Sequence, residues 1–235
     1  AGVTGDLIQN SYFDFANTNP FVSPTLFVTP TDQQYHGFIG LKGKLSNSVS
    51  YNIKGNYFAE ENKALFKTNR AQSFATEGYQ YGNSFAVVYD NVKTFSVGGE
   101  LNIDVNRNFK LAIKGQYFNY NTDMQAEAWN LPNIEGSVFL DYQISRQWFM
   151  GGSVFFTGER KDESELLGTL VPIPVIMVTL DSFFDANMHL GYKVTDYLSV
   201  YGKVNNIANQ DYQRWNNFPV QGIQFLAGAT YQFDF

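Results

Sequence analysis

Apolar and polar residues alternate with a period of two along most of this 235-residue chain, the pattern of strands with one greasy and one wet face. In "GIQFLAGATYQFDF", which ends the sequence, Ile223, Phe225, Ala227, Ala229, Tyr231, Phe233 and Phe235 are apolar, with Gln224, Thr230, Gln232 and Asp234 between them. The same beat runs through residues 198–204, 180–194, 148–156 and 134–144. Upstream it recurs over 111–117, in one long run over 85–105, and over 49–57 and 35–45. A first strand is expected around residues 7–15, and no segment shows a helical period.

The connections sort by length. Short turns at Asn47, 106–108, 145–147 and Thr195-Asp196 alternate with long polar excursions over 60–83, 121–131, 158–170 and 206–221. The count is about ten antiparallel strands, each long enough for a tilted membrane span of roughly ten residues. No linker divides residues 1–235 into two domains.

Two architectures alternate apolar and polar residues in this way. A soluble sandwich uses strands of about five or six residues and does not segregate short turns from long loops. An up-and-down barrel in an outer membrane does both, with its apolar rows facing lipid. The wet phase carries His36, Lys42, Lys44, Lys54, Lys110, Lys114, Glu135, Asp141, Asp185, His189 and Lys203 at mid-strand. Facing hydrocarbon, each Lys or Arg costs about 2–4 kcal/mol at the midplane. The expectation is therefore an all-β, antiparallel, up-and-down transmembrane β-barrel in contact with outer-membrane lipid and lipopolysaccharide.

Composition narrows the function. The longest apolar run, "LVPIPVIMV" over 170–178, is too short for a spanning helix and contains two prolines. Aromatic content of 17% exceeds what a core of this size needs and suits interfacial girdles. A net charge of -6 argues against a nucleic-acid partner. With no cysteine, disulfides, thiolate zinc sites and cysteine nucleophiles are excluded. Ala1, with no signal peptide before it, reads as a mature terminus or a cut.

The segment "YLSVYGKVNNIANQDYQRW…GIQFLAGATYQFDF" resembles the end of Bacteroidetes-type TonB-dependent receptors, through Asn206, Ile207, Asn209, Tyr212, Gly222, Gly228, Tyr231, Phe233 and Phe235. "YHGFIGLKGKLSNSVSYNIKGNYFAEENKALF" is similar to an internal hairpin of such receptors. The resemblance implies the C-terminal part of a 22-stranded barrel and a role in uptake of a siderophore, glycan or peptide. It also implies a plug domain and TonB as partners, although no plug or TonB-contacting segment is recognisable in this sequence. Tyr231, Phe233 and Phe235 resemble the C-terminal signal read by the barrel-assembly machinery. The alternative is a small closed barrel acting as a structural or partner-binding subunit of an envelope complex.

Candidate chemistry is sparse, and neither a cofactor nor a metal is expected. His36 and His189 fall on the wet phase, where a hydrated imidazole is the ordinary state; Asp32 near His36 only loosely echoes an outer-membrane protease. Asp162, Glu163 and Glu165 in "RKDESE" lack calcium-loop spacing and read as a solvated acidic loop. The expected working surface is instead the loops. Tyr212, Arg214, Trp215 and Phe218 are residue types enriched at binding hot spots. Ile173, Ile176 and Val178 form an apolar stretch suited to packing on the barrel mouth or on another envelope protein.

Overall fold

The computed structural model describes residues 1–71, 75–165 and 175–233. Its frame is one meandering antiparallel sheet of ten strands. The chain enters through β1 (Gly2–Ile8), a helix α1 (Tyr12–Thr18), β2 (Thr31–Ser46) and β3 (Val49–Thr68). A 3-10 turn at Gly78–Gln80 precedes β4 (Phe85–Asn106), β5 (Phe109–Thr122), β6 (Ile134–Gln143) and β7 (Trp148–Thr157). A separate hairpin, β8 (Arg160–Glu165) and β9 (Val175–Leu180), leads to β10 (Phe183–Lys193) and β11 (Leu198–Asn205). A second small hairpin, β12 (Gln213–Trp215) and β13 (Phe218–Pro219), precedes β14 (Gln224–Tyr231). The sheet is ordered β1-β2-β3-β4-β5-β6-β7-β10-β11-β14, and among the described residues its edges, β1 and β14, do not pair with each other. The strand number matches the expectation, and among the described residues the sheet stays open, as a section of a larger barrel would.

Register explains the two faces. Directly opposed residues such as Val97 and Gly55, Leu101 and Tyr51, or Leu140 and Gly152 put their side chains on the same side of the sheet. The outward rows are bare, with Leu41 68% and Phe225 76% exposed. All four short turns of the sheet lie at one end, and every long connection lies at the other.

Local chemistry corrects several boundaries. The expected strand over 7–15 ends at Ile8, and a helix follows where none was expected. Ser11 caps it: its Oγ accepts from the Asp14 N–H at 3.2 Å and donates to Asp14 Oδ2 at 2.6 Å. The excursion expected from residue 60 starts later, because β3 runs on to Thr68 through a bulge between Glu60 and Lys63. There Asn62 takes a left-handed conformation, φ 55°. Below it Tyr57 and Ala59 oppose Phe95 and Lys93; above it Ala64 and Phe66 oppose Tyr89 and Val87. The extra residue thus moves the outward phase of β3 from odd to even positions. Lys93, exposed just below the bulge, is the one charge on the outward phase of β4.

Two further excursions are partly strand. Residues 160–165 and 175–180 pair as β8 and β9, so Ile176 and Val178 are strand residues rather than loop. Ile173 and Phe235 lie outside the described residues. The last strand stops at Tyr231, after which Gln232 N–H still donates to the Tyr197 carbonyl at 2.8 Å.

Candidate functional site

Two surfaces are candidates for function: the polar face of the sheet, and the cap that the long connections build over one end of it.

On the polar face His36 lies flat on Phe58, with ring centroids 4.2 Å apart. Its Nε2 is 3.2 Å from Asn56 Oδ1, and Asn56 Nδ2 donates to Ser96 Oγ at 3.1 Å. Gln116 Nε2 reaches the same hydroxyl at 3.3 Å, so one polar ladder crosses four strands, β2 to β5. Lys54 Nζ sits 4.6 Å from the centre of the Phe38 ring, and Lys114 pairs with Glu100 at 3.7 Å. These groups line a concavity of about 590 Å3 that extends to Glu135 and Phe155. His189 belongs to separate hollows, beside Asp141 and Lys193 and beside Lys203. The two imidazoles therefore share no centre. Among the described residues no group of His, Cys, Asp or Glu is placed to hold a metal ion.

Close approach shapes this wall at two glycines. A Cβ on Gly151 would land in the His189 imidazole, and one on Gly191 in the Phe149 ring. Glycine lets each ring lie across its neighbouring strand.

The cap is where the large apolar side chains are buried. On one side of the β3–β4 extension Phe66 and Phe85 pack with Phe15, Val22 and Trp215. On the other, Leu65 and Val92 pack with Trp129. Polar groups join the loops around these clusters. Asp90 accepts the N–H groups of Met124 (3.0 Å) and Gln125 (2.7 Å), fixing the β5–β6 loop. Asn130 N–H donates to the Lys161 carbonyl at 2.9 Å, and its side chain donates to the Phe66 carbonyl at 2.9 Å. Phe21 of the β1–β2 loop stacks on Phe218 at 3.6 Å, so the loops of the first and last hairpins touch.

The β8–β9 hairpin is locked in by charge. Asp162, expected in a solvated loop, is 0% exposed and accepts from Thr68 N–H (3.0 Å) and Thr68 Oγ1 (2.8 Å). Burial raises its pKa above the ordinary value, while hydrogen bonds from Asn130, Thr68 and Glu163 pull it down. Glu163 pairs with Lys67 at 2.8 Å and Arg70 at 3.3 Å. Arg160 donates from Nη1 to the Arg214 carbonyl, from Nη2 to the Gln213 carbonyl at 2.8 Å, and lies 5.3 Å from the Phe183 ring centre. Its pKa is lowered, first by burial and then by nearby Arg214, with Asp162 acting the other way.

The predicted loop residues separate in this arrangement. Trp215 is 8% exposed in the cap core, and Phe218 is half-buried against Phe21. Arg214 is exposed. Tyr212 stacks on Phe183 at 3.9 Å and donates to Asp185 Oδ2 at 3.3 Å; burial first, then Asp185, pushes its phenol up to about 12. Ile176 is exposed and Val178 half-buried on β9. Tyr231 and Phe233 meet edge-on at 4.8 Å. Sequence reasoning missed Asp90, Trp129 and Asn130; the only sign of the last two was an apolar-polar pair, "WN", inside a polar excursion.

No family model matches this chain, and no curated protein matches it. Solved structures do. The pyoverdine outer-membrane receptor FpvA from Pseudomonas aeruginosa, bound to pyoverdine, superposes with a TM-score of 0.68 at 13% identity, over 98% of this chain and 33% of the receptor. The copper transporter OprC gives 0.66 at 14% identity, over 98% of this chain and 37% of that one. The siderophore receptor PirA from Acinetobacter baumannii gives 0.65 at 15% identity, over 87% and 32%. The chain has the fold of one section of these receptors and spans 27% to 37% of the first chains it matches.

Proposed function

We propose that this chain forms part of the wall and loop cap of an outer-membrane, TonB-dependent receptor that imports a scarce nutrient. One observation carries the reading: a single ten-stranded meander has a bare apolar face outside, a polar hydrogen-bonded face inside, and every long loop at one end. A protein layer covering the apolar rows would make this a sandwich; bare rows of this extent call for hydrocarbon. The likeness to siderophore and copper receptors supports the uptake role. The reading makes the chain a receptor, with no catalytic centre. Its lipid partners lie along the outward rows. Tyr231, Phe233 and Phe235 address the assembly machinery, and a plug and TonB engage through other parts of the receptor. Ligand contact from the cap falls to Arg214 and Tyr212 rather than to the buried Trp215, and Ile176 offers an apolar contact for an envelope partner.

Because the chain has no cysteine, single introduced thiols report topology directly. In intact cells a membrane-impermeant maleimide should label Asp123→Cys at the loop end and leave Asp196→Cys at the turn end untouched. Leu41→Cys should react only with a lipid-soluble probe. Equal labelling of all three positions by the impermeant reagent would defeat the reading. Deleting the gene should abolish growth on the nutrient that the receptor supplies.

A further inference from the structure

Neighbouring strands can slide past each other by two residues without changing which side chains face outward and which face the polar side. The alternation that defines the two faces is blind to a slip of this size. In a hairpin with a short turn, the turn itself sets the register. The pairs β1–β2, β3–β4, β5–β6, β7–β10 and β11–β14 have no such turn, because their connections run over 9–30, 69–84, 123–133, 158–182 and 206–223. Something else must choose one register over its neighbours.

At β7–β10, the pair with the longest of these connections, rings and glycines interlock. Phe149 of β7 is directly opposite Gly191 of β10, and His189 of β10 is directly opposite Gly151 of β7. Each ring occupies the space where a Cβ on its glycine would stand. Each strand thus supplies one ring and one glycine, and the two rings lie side by side with centroids 6.4 Å apart. A slide of two residues one way sets Phe149 opposite His189, ring against ring. A slide the other way sets Gly151 opposite Gly191 and leaves both rings without a glycine to lie on.

The same joint recurs where connections are long. Tyr201 of β11 lies over Gly228 of β14, its hydroxyl 2.6 Å from where a Cβ would stand, and Phe38 of β2 lies over Gly2 of β1 at 2.7 Å. The β3–β4 pair has the buried clusters of the cap instead, and β5–β6 has the shortest of the five connections. Among the described residues one further ring, Tyr51, covers a glycine, Gly43, in the short-turn hairpin β2–β3. We propose that the ring-on-glycine joints are register keys, which select the pairing of strands whose connection is too long to select it, and that β7–β10 depends on them most. The keys release the 158–182 connection from aligning the wall, so the β8–β9 hairpin is left to serve the cap. This goes beyond the receptor reading and stands independently of it.

Engineered cysteine pairs read the register, since the chain has no cysteine of its own. Val154 and Ala186 are directly opposed, so the pair Val154→Cys, Ala186→Cys should form a disulfide on oxidation after assembly into bilayers. The pair Val154→Cys, Met188→Cys, two residues out of step, should not. Adding Gly191→Ala should lower the natively cross-linked fraction of total protein at least threefold, whether chains slip or fail to assemble. Phe149→Ala on top of it should restore that fraction, because the His189–Gly151 joint still sets the register. Two control substitutions should change nothing. Gly202→Ala on β11 has no atom near the added Cβ, and Gly43→Ala, read through Leu41→Cys, Ile53→Cys, lies in a hairpin whose turn sets the register. Full native cross-linking in Gly191→Ala, a loss that Phe149→Ala does not restore, or an equal loss in either control overturns the proposal.

Discussion

Below Asn62 and above it, β3 and β4 are one continuous hairpin, yet the two halves are stabilised in opposite ways. In the lower half apolar side chains such as Ile53 and Val97 point outward and stay bare, and hydrogen bonds and polar ladders occupy the concave side. In the upper half both faces are covered, by Trp215 and Phe15 on one side and Trp129 on the other. The lower half relies on its surroundings to accept apolar surface, whereas the upper half buries its own. The cap therefore follows the rules of a soluble protein core, and the wall follows those of a membrane strand.

Mutations sharpen this contrast. Trp129→Ala should cost about 3–5 kcal/mol, as large-to-small changes in a packed core do. Hydrogen exchange should localise the loss to the cap and leave the lower strands protected; uniform loss over the whole sheet would erase the division. Val97→Arg should cost about 2–4 kcal/mol when refolding into bilayers is measured, while Asn52→Arg on the concave side of the neighbouring strand stays within about 0.5 kcal/mol. Equal penalties would mean that both faces meet the same medium.

Asp162→Ala leaves the Thr68 and Glu163 N–H groups without their carboxylate and should loosen the cap by about 1–3 kcal/mol. Its titration has a defined sign. The folded pKa lies above the ordinary 3.8, so the unfolded loop releases its proton first, and stability falls as pH rises from there to the raised value. Asp162→Asn should flatten that slope in protease-resistance assays of the loops across this acidic range. Smallest of all, Tyr212→Phe keeps the stack on Phe183 and removes the bond to Asp185, at about 0.5–1.5 kcal/mol. Its effect should be confined to the β11–β14 connection.

The wall was legible in the sequence because a period of two is a local signal, and each strand declares its own faces. The cap was not. Phe15 and Trp215, from opposite ends of the chain, both pack against Phe66. No periodicity encodes such a meeting, so Trp215 read as a ligand contact and Asp162 as solvated. The bulge hid the rest: past Asn62 the outward row moves to even positions, and Ala64 and Phe66 fall out of step with the pattern that had identified β3. The Ser11 cap was written in "SYFD", but a helix of seven residues is too short to show a period.

The left-handed Asn62 also marks a seam for engineering. The part of the β3–β4 hairpin above it can be treated as a cassette, since the bulge confines the change of phase in β3 to this point. Loop caps could be exchanged at this point without re-threading the strands beneath, whereas a splice that lost the extra residue would put the other phase of β3 outward.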